Sequence, residues 1–263
     1  MARVLAISNQ KGGVGKTTTA INLAASLAAA ERKTLLIDID PQGNASSGLG
    51  LDRTRLHGSV REALLEGRPM SELLHPTELK YLDVVPAAPD LTGAELELVS
   101  VDERDTRLKR SLEPIKRDYD YVLIDCPPSL GLLVVNALAT ADAVLIPLQC
   151  EYYAMEGLAQ LMSTVELAQQ GINPKLSVEG ILLTMFDPRA NIGHQVADEV
   201  RRVFPDLVFK AVVPRNVRLA ESPSFGKPIL LYDIKSKGCE AYLKLAQELM
   251  RREKNSRKRT RAA

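Results

Sequence analysis

At 263 residues, 45% hydrophobic and 25% charged, the chain has the size and composition of one large α/β domain, which excludes wholesale disorder. No stretch approaches the roughly 18 uninterrupted apolar residues of a membrane-spanning helix. The formal net charge of +1 is uneven: residues 251–263 carry a local +6, leaving −5 on the rest.

Val4 to Ser8 is a short apolar run that stops at a glycine-rich segment and reads as a buried parallel strand. Ala20, Ile21, Leu23, Ala24, Leu27 and Ala28 recur at helical spacing, predicting a helix from about Thr17 to Ala30. Residues 34–37, 121–124, 143–146 and 180–183 read as further strands, with helical patterns around 158–168 and 196–203. This alternation predicts βαβ units: an α/β domain whose mostly parallel, twisted sheet carries helices on both faces. Residues 44–118 are more irregular and polar, as loops and surface helices would be. A last helix is expected from about Glu240 to Arg252, docking through Leu243, Ala246, Leu249 and Met250. The expected layout is one domain over residues 1–252 and a basic, disordered tail over 253–263. Cys126, Cys150 and Cys239 form no C-x-x-C pair and read as buried thiols, while His57, His75 and His194 are scattered and read as surface or packing residues. With a strand-like start and no signal peptide, a reduced, cytoplasmic setting is expected.

The strongest signal lies between the first strand and the first helix, where Lys11, Gly12, Gly13, Val14, Gly15, Lys16, Thr17 and Thr18 form a glycine-rich phosphate loop. Glycines let backbone N–H groups approach phosphate oxygens, and the following helix points its positive end at the same anion. In this motif Lys16 neutralises the β- and γ-phosphates of ATP and the Thr17 hydroxyl coordinates Mg²⁺. Such a site needs acidic partners, and two strands end in aspartate at the edge where open α/β sheets bind ligands. Asp125 is the candidate Mg²⁺ carboxylate. Asp40, in Asp38-Ile39-Asp40-Pro41-Gln42-Gly43-Asn44, is the candidate for positioning water and the metal from the other side. Asp38 suits a supporting or capping role equally well.

The loop departs from the usual G-x-x-x-x-G-K-[ST] pattern: Gln10 stands where glycine is usual, and an extra lysine, Lys11, stands at the front. In this it resembles the deviant P-loop of the ParA/MinD family of ATPases. The resemblance implies that Lys11 reaches across a nucleotide-sandwich homodimer to the partner's phosphates, and that Asp40 is the hydrolytic aspartate. The segment from Val213 to Ser222 resembles the part of the family that holds adenine, so Pro214 and Asn216 are implied base contacts; by local chemistry alone they read equally well as a proline turn and a helix cap. The likeness spans Val4 to about Leu249 and is nearest to the small chromosomal ParA/Soj type, with no helix-turn-helix segment. It implies a slow, Mg²⁺-dependent ATPase that binds DNA without sequence preference, associates with the nucleoid and drives chromosome or plasmid segregation with a ParB-type (Spo0J-like) centromere-binding partner. Arg189 and Arg218, with Lys227, are the implied DNA contacts, and each reads equally well as ordinary solvated surface.

Two rivals remain at the level of sequence. A MinD-like positioning ATPase would act at the membrane, but the tail Arg251 to Arg259 lacks an apolar face, so no stable membrane association is expected. A binding module switched by ATP, with negligible hydrolysis, is the non-enzyme reading. Asp40 beside Lys16 and Asp125 favours turnover.

Overall fold

The structure, a computed structural model, describes the backbone of residues 2–262 and the side-chain surroundings of residues 2–255. Eight strands form one sheet: β1 (Arg3–Ile7), β2 (Thr34–Asp38), β3 (His75–Pro76), β4 (Leu82–Val85), β5 (Tyr121–Asp125), β6 (Ala143–Gln149), β7 (Ser177–Phe186) and β8 (Val208–Pro214). Their order is β3-β4-β2-β5-β1-β6-β7-β8, parallel throughout except for the short β3. The five longest helices are α1 (Lys16–Ala29), α2 (Leu132–Thr140), α3 (Ala154–Gln170), α4 (Asn191–Val203) and α5 (Lys237–Ala262).

The central strands are buried on both faces, and alternate residues feed two separate cores. Val4, Ala6, Val122, Ile124, Val144 and Ile146 face the core closed by α2 and α3. Leu5, Ile7, Leu123, Ala143 and Leu145 face the other, where α1 packs beside Tyr242, Leu245 and Leu249 of α5. At the sheet edge, buried Glu248 of α5 accepts the backbone N–H groups of Lys210 and Ala211, covering donors that β8 would otherwise leave open.

Residues 44–118 are more ordered than their polarity suggests. They contribute β4 and several short helices, and Val60, Leu64, Met70, Leu91, Leu98 and Leu108 are fully buried in the α2/α3 core. α5 also continues past Arg252, where the sequence reading ends it, to Ala262. The segment after Gly238 contains no glycine or proline and is rich in Glu, Lys and Arg, which are strong helix formers. The basic side chains Arg257, Lys258, Arg259 and Arg261 lie outside the described residues.

The parallel register places three functional segments side by side. Asp38 at the end of β2 is level with Asp125 at the end of β5, and Asp125 is level with Ile7 at the end of β1. The glycine loop therefore begins beside both carboxylates.

Candidate active site

Two glycines shape the loop: Gly13 and Gly15 sit at φ +74° and +87°, where a side chain would be strained. Gly15 precedes α1 without any side-chain cap, so the first N–H groups of the helix stay available at its positive end. A Cβ built on Gly12 or Gly13 would meet nothing within 4 Å, leaving room against the backbone for a ligand. The loop is anchored at both ends. Asn9 donates to the Pro147 carbonyl at 2.7 Å and accepts the Lys11 N–H at 3.0 Å, while the Thr184 hydroxyl donates to the Val14 carbonyl at 2.8 Å.

Lys16, only 6% exposed, donates from Nζ to the Lys11 carbonyl at 3.0 Å. Burial pulls its pKa below the ordinary lysine range, against the attraction of Asp125 first, then Cys126 and Asp40. Asp125 is wholly buried, and neither of its carboxylate oxygens has a hydrogen-bond partner. Burial and the neighbouring Asp38 push Asp125 well above the usual carboxylate range, while the Thr17 hydroxyl and the Lys16 ammonium pull the other way. A buried carboxylate without donors, beside a threonine hydroxyl, is a donor set that suits a hard divalent cation.

Asp38 differs sharply from Asp125 despite equal burial. It accepts the Ser46 N–H at 2.8 Å, the Ser46 hydroxyl at 2.6 Å and the Asp40 N–H at 3.1 Å. Burial still raises its pKa to about 6. Its work is to hold the short helix Asn44–Gly48 and the Asp40 turn in place, so the supporting reading is the one the geometry favours. Asp40 accepts the Gln42 N–H through Oδ1 at 2.9 Å and borders the cavity in front of the loop.

That cavity holds about 510 Å³ and runs from the glycine loop, past Asp40, to Pro214, Arg215 and Asn216. Asn216 caps the helix Val217–Glu221 by accepting the Leu219 N–H at 3.2 Å, so the cap reading holds, and it also lines the cavity. Met185, at φ +48°, lines the cavity too, in a backbone conformation that non-glycine residues rarely adopt. Asn9, Thr184 and Met185 were missed by sequence reading. Asn9 alone left a signal, as a polar residue between an apolar strand and the glycines.

The remaining candidates lie outside this pocket. Lys11 is half-exposed and pairs through Nζ with Glu151 at 2.7 Å. Arg189 pairs with Asp187 at 2.8 Å, Arg218 with Glu221 at 2.9 Å, and Lys227 with Glu78 at 3.9 Å. All three cysteines are buried; burial raises each thiol, that of Cys150 to about 11. His75 stacks on His57, and His194 packs edge-on against Phe186. Among the described residues no helix is long and apolar enough to cross a membrane.

Residues 2–178 match a family described as an AAA domain. The chain is 67% identical over 263 residues to the chromosome partitioning protein ParA of Myxococcus xanthus, covering 100% of this chain and 93% of that one. It is 55% identical over 249 residues to the sporulation initiation inhibitor protein Soj of Bacillus subtilis, with 95% and 98% covered. Among solved structures it is similar to cobyrinic acid a,c-diamide synthase from Mycobacterium smegmatis with bound ADP and magnesium, at TM-score 0.85 and 39% identity over 97% of each chain. It is also similar to the cell division ATPase MinD of Pyrococcus furiosus, at TM-score 0.79 and 26% identity, covering 95% of this chain and 99% of that one.

Proposed function

The chain belongs to the ParA/Soj family of partitioning ATPases, and on that footing we propose that it hydrolyses ATP slowly in a dimer that binds DNA without sequence preference and segregates chromosomes or plasmids. The observation that carries the nucleotide part is the pairing of buried Lys16 with unpartnered Asp125 at the open glycine loop. Charges held out of water in this way are matched by a ligand that brings both anionic phosphate and a cation.

In this reading the N–H groups of Gly12 to Thr17 and the Lys16 ammonium bind the phosphates, and Pro214 and Asn216 border the base. Mg²⁺ fits Thr17 and Asp125, with Asp40 on the far side, and when bound it neutralises phosphate charge. Asp40 orients the attacking water; its Oδ1 is held by the Gln42 N–H, which fixes the carboxylate plane. Asp38 keeps that turn in place.

Dimerisation is supported by the surface around Lys11. Its half-exposed pair with Glu151 is of a kind worth about 0–1 kcal/mol, so the lysine can leave it for a partner's phosphate. Glu151 is followed by Tyr152 and Tyr153, 78% and 65% exposed, which a second copy would cover. DNA binding through Arg189, Arg218 and Lys227, a ParB-type partner, and a cytoplasmic, nucleoid-associated setting follow from the family. The test is to measure oligomeric state by light scattering, and DNA binding beside it, with ATP, with ADP and without nucleotide. A dimer that binds DNA only with ATP is expected; a monomer in all three conditions overturns the reading.

A further inference from the structure

Arginine pairing across the molecule is uneven in an informative way. Of the 17 arginines whose side chains are described, 13 have a carboxylate or carbonyl partner: Arg3 pairs with Glu179, Arg53 and Arg107 with backbone carbonyls, and the rest mostly with nearby acids. Four side chains have none: Arg32, Arg117, Arg215 and Arg251. Arg215 lines the nucleotide cavity. The other three line one second cavity, together with Lys254.

This second cavity, about 730 Å³, is larger than the first and opens at the opposite, amino ends of the strands. β5 runs between the two: Asp125 ends it beside the glycine loop and Tyr121 begins it here, roughly 13 Å away along the strand at ~3.3 Å per residue. The cations come from three separate elements: Arg32 from the turn after α1, Arg117 from the turn before β5, and Arg251 with Lys254 from α5. Tyr119, Tyr121 and Met250 also line it. Its two carboxylates are already engaged: Asp120 accepts the Lys33 N–H at 3.0 Å, and Glu253 accepts the Tyr121 hydroxyl at 2.5 Å.

Like charges from three elements converging on one concavity repel one another. Guanidinium groups suit oxyanions through paired N–H donors. We propose that this cavity is a second phosphate-binding site, separate from the glycine loop, for a free phosphate-bearing ligand such as a polyphosphate or a nucleotide. It does not depend on what the glycine loop binds.

The experiment titrates the full chain, in a Lys16→Ala background to weaken the glycine loop, with two probes: inorganic pyrophosphate and a short duplex DNA. Arg32→Glu with Arg117→Glu is expected to lower affinity for pyrophosphate about tenfold or more, as removal of charge-assisted phosphate contacts does. Arg251→Glu with Lys254→Glu, on the opposite wall, is expected to give the same loss. Arg55→Glu with Arg202→Glu makes the same change in net charge on exposed surface elsewhere and is the control. Loss for pyrophosphate is the supporting result; loss for the duplex alone assigns these cations to DNA contact and overturns the proposal. Pyrophosphate affinity unchanged in both cavity variants, an equal loss in the control, or no binding of pyrophosphate before substitution also overturns it. All the substituted arginines are exposed, and unchanged thermal melting checks that the variants fold.

Discussion

Lys16 and Asp125 are charges held out of water, whereas Arg189 and Arg218, which follow the carboxyl ends of β7 and β8, are charges left in it. The buried pair is under electrostatic tension: burial works against both charged forms, and only the Thr17 hydroxyl and Lys16 offset it at Asp125. The exposed arginines are already satisfied by Asp187 and Glu221, in pairs that water and salt screen. A ligand in the first region relieves a strain built into the fold. In the second it merely exchanges one partner for another. The first region should therefore bind few ligands tightly and with fixed geometry, and the second should bind weakly, without sequence preference, and only when contacts are multiplied.

The largest expected effect lies in the second region. If a dimer neutralises six to ten phosphates, DNA affinity should fall by about 10³–10⁵ between roughly 50 and 200 mM salt. Titrating unrelated duplexes with ATP and then with ADP, in wild type and in Arg189→Glu plus Arg218→Glu, measures this. Equal binding in both nucleotides would place the affinity outside the dimer, and preference for one duplex would point to a base-reading element. Next in size is the loss of hydrolysis in Asp40→Ala, on the order of 10²–10⁴ for a group that acts on the attacking water. Nucleotide binding should survive, because Lys16, Thr17 and Asp125 remain, so an ATP-bound dimer should accumulate by light scattering. A wild-type rate of phosphate release would remove Asp40 from that role. Lys16→Ala should weaken ATP by roughly ten- to a hundred-fold, since a charge-assisted contact is worth about 1.5–3 kcal/mol. Calorimetric affinity near that of wild type would mean that the buried lysine does not meet phosphate.

The two regions also differ in how well the sequence reveals them. The glycine loop is legible because its donors are consecutive in the chain and flanked by an apolar run and an apolar helix face. Five strands are legible for the same reason, each being a continuous buried run. β4 and β8 escape because Asp83 and Lys210 interrupt them, as polar residues do on strands near a sheet edge. The buried face of residues 44–118 escapes because its helices are five or six residues long, too short to display a period. Within the site, Asn9 and Thr184 lie far apart in sequence and act through backbone groups, among them carbonyls brought close by the sheet. Nothing local distinguishes Asp125, which has no hydrogen bond, from Asp38, which has three; each is an aspartate at the end of an apolar strand.

That last difference supplies the smallest and sharpest test. At neutral pH the isolated chain must hold Asp125 either ionised without donors or protonated against solvent, and both choices subtract from stability. Its folded-state pKa lies above the unfolded value, so the sign follows: the folded state gains from this group below the ordinary carboxylate pKa and loses that gain as pH rises through the shifted one. Asp125→Asn keeps the shape and removes the charge. It also removes an attraction for Lys16, but that term ranks below burial and the repulsion from Asp38. Without nucleotide, the variant should therefore be more stable at neutral pH, by roughly 1–3 kcal/mol, the scale of an unsatisfied buried group. At about 2–4 °C per kcal/mol for a chain of this size, thermal melting in the presence of a chelator resolves the change. With ATP and Mg²⁺ the order should reverse, because the wild type alone offers the cation a carboxylate. A variant that melts lower in both conditions would show that Asp125 serves the fold itself, and that its missing hydrogen bonds are not reserved for a ligand.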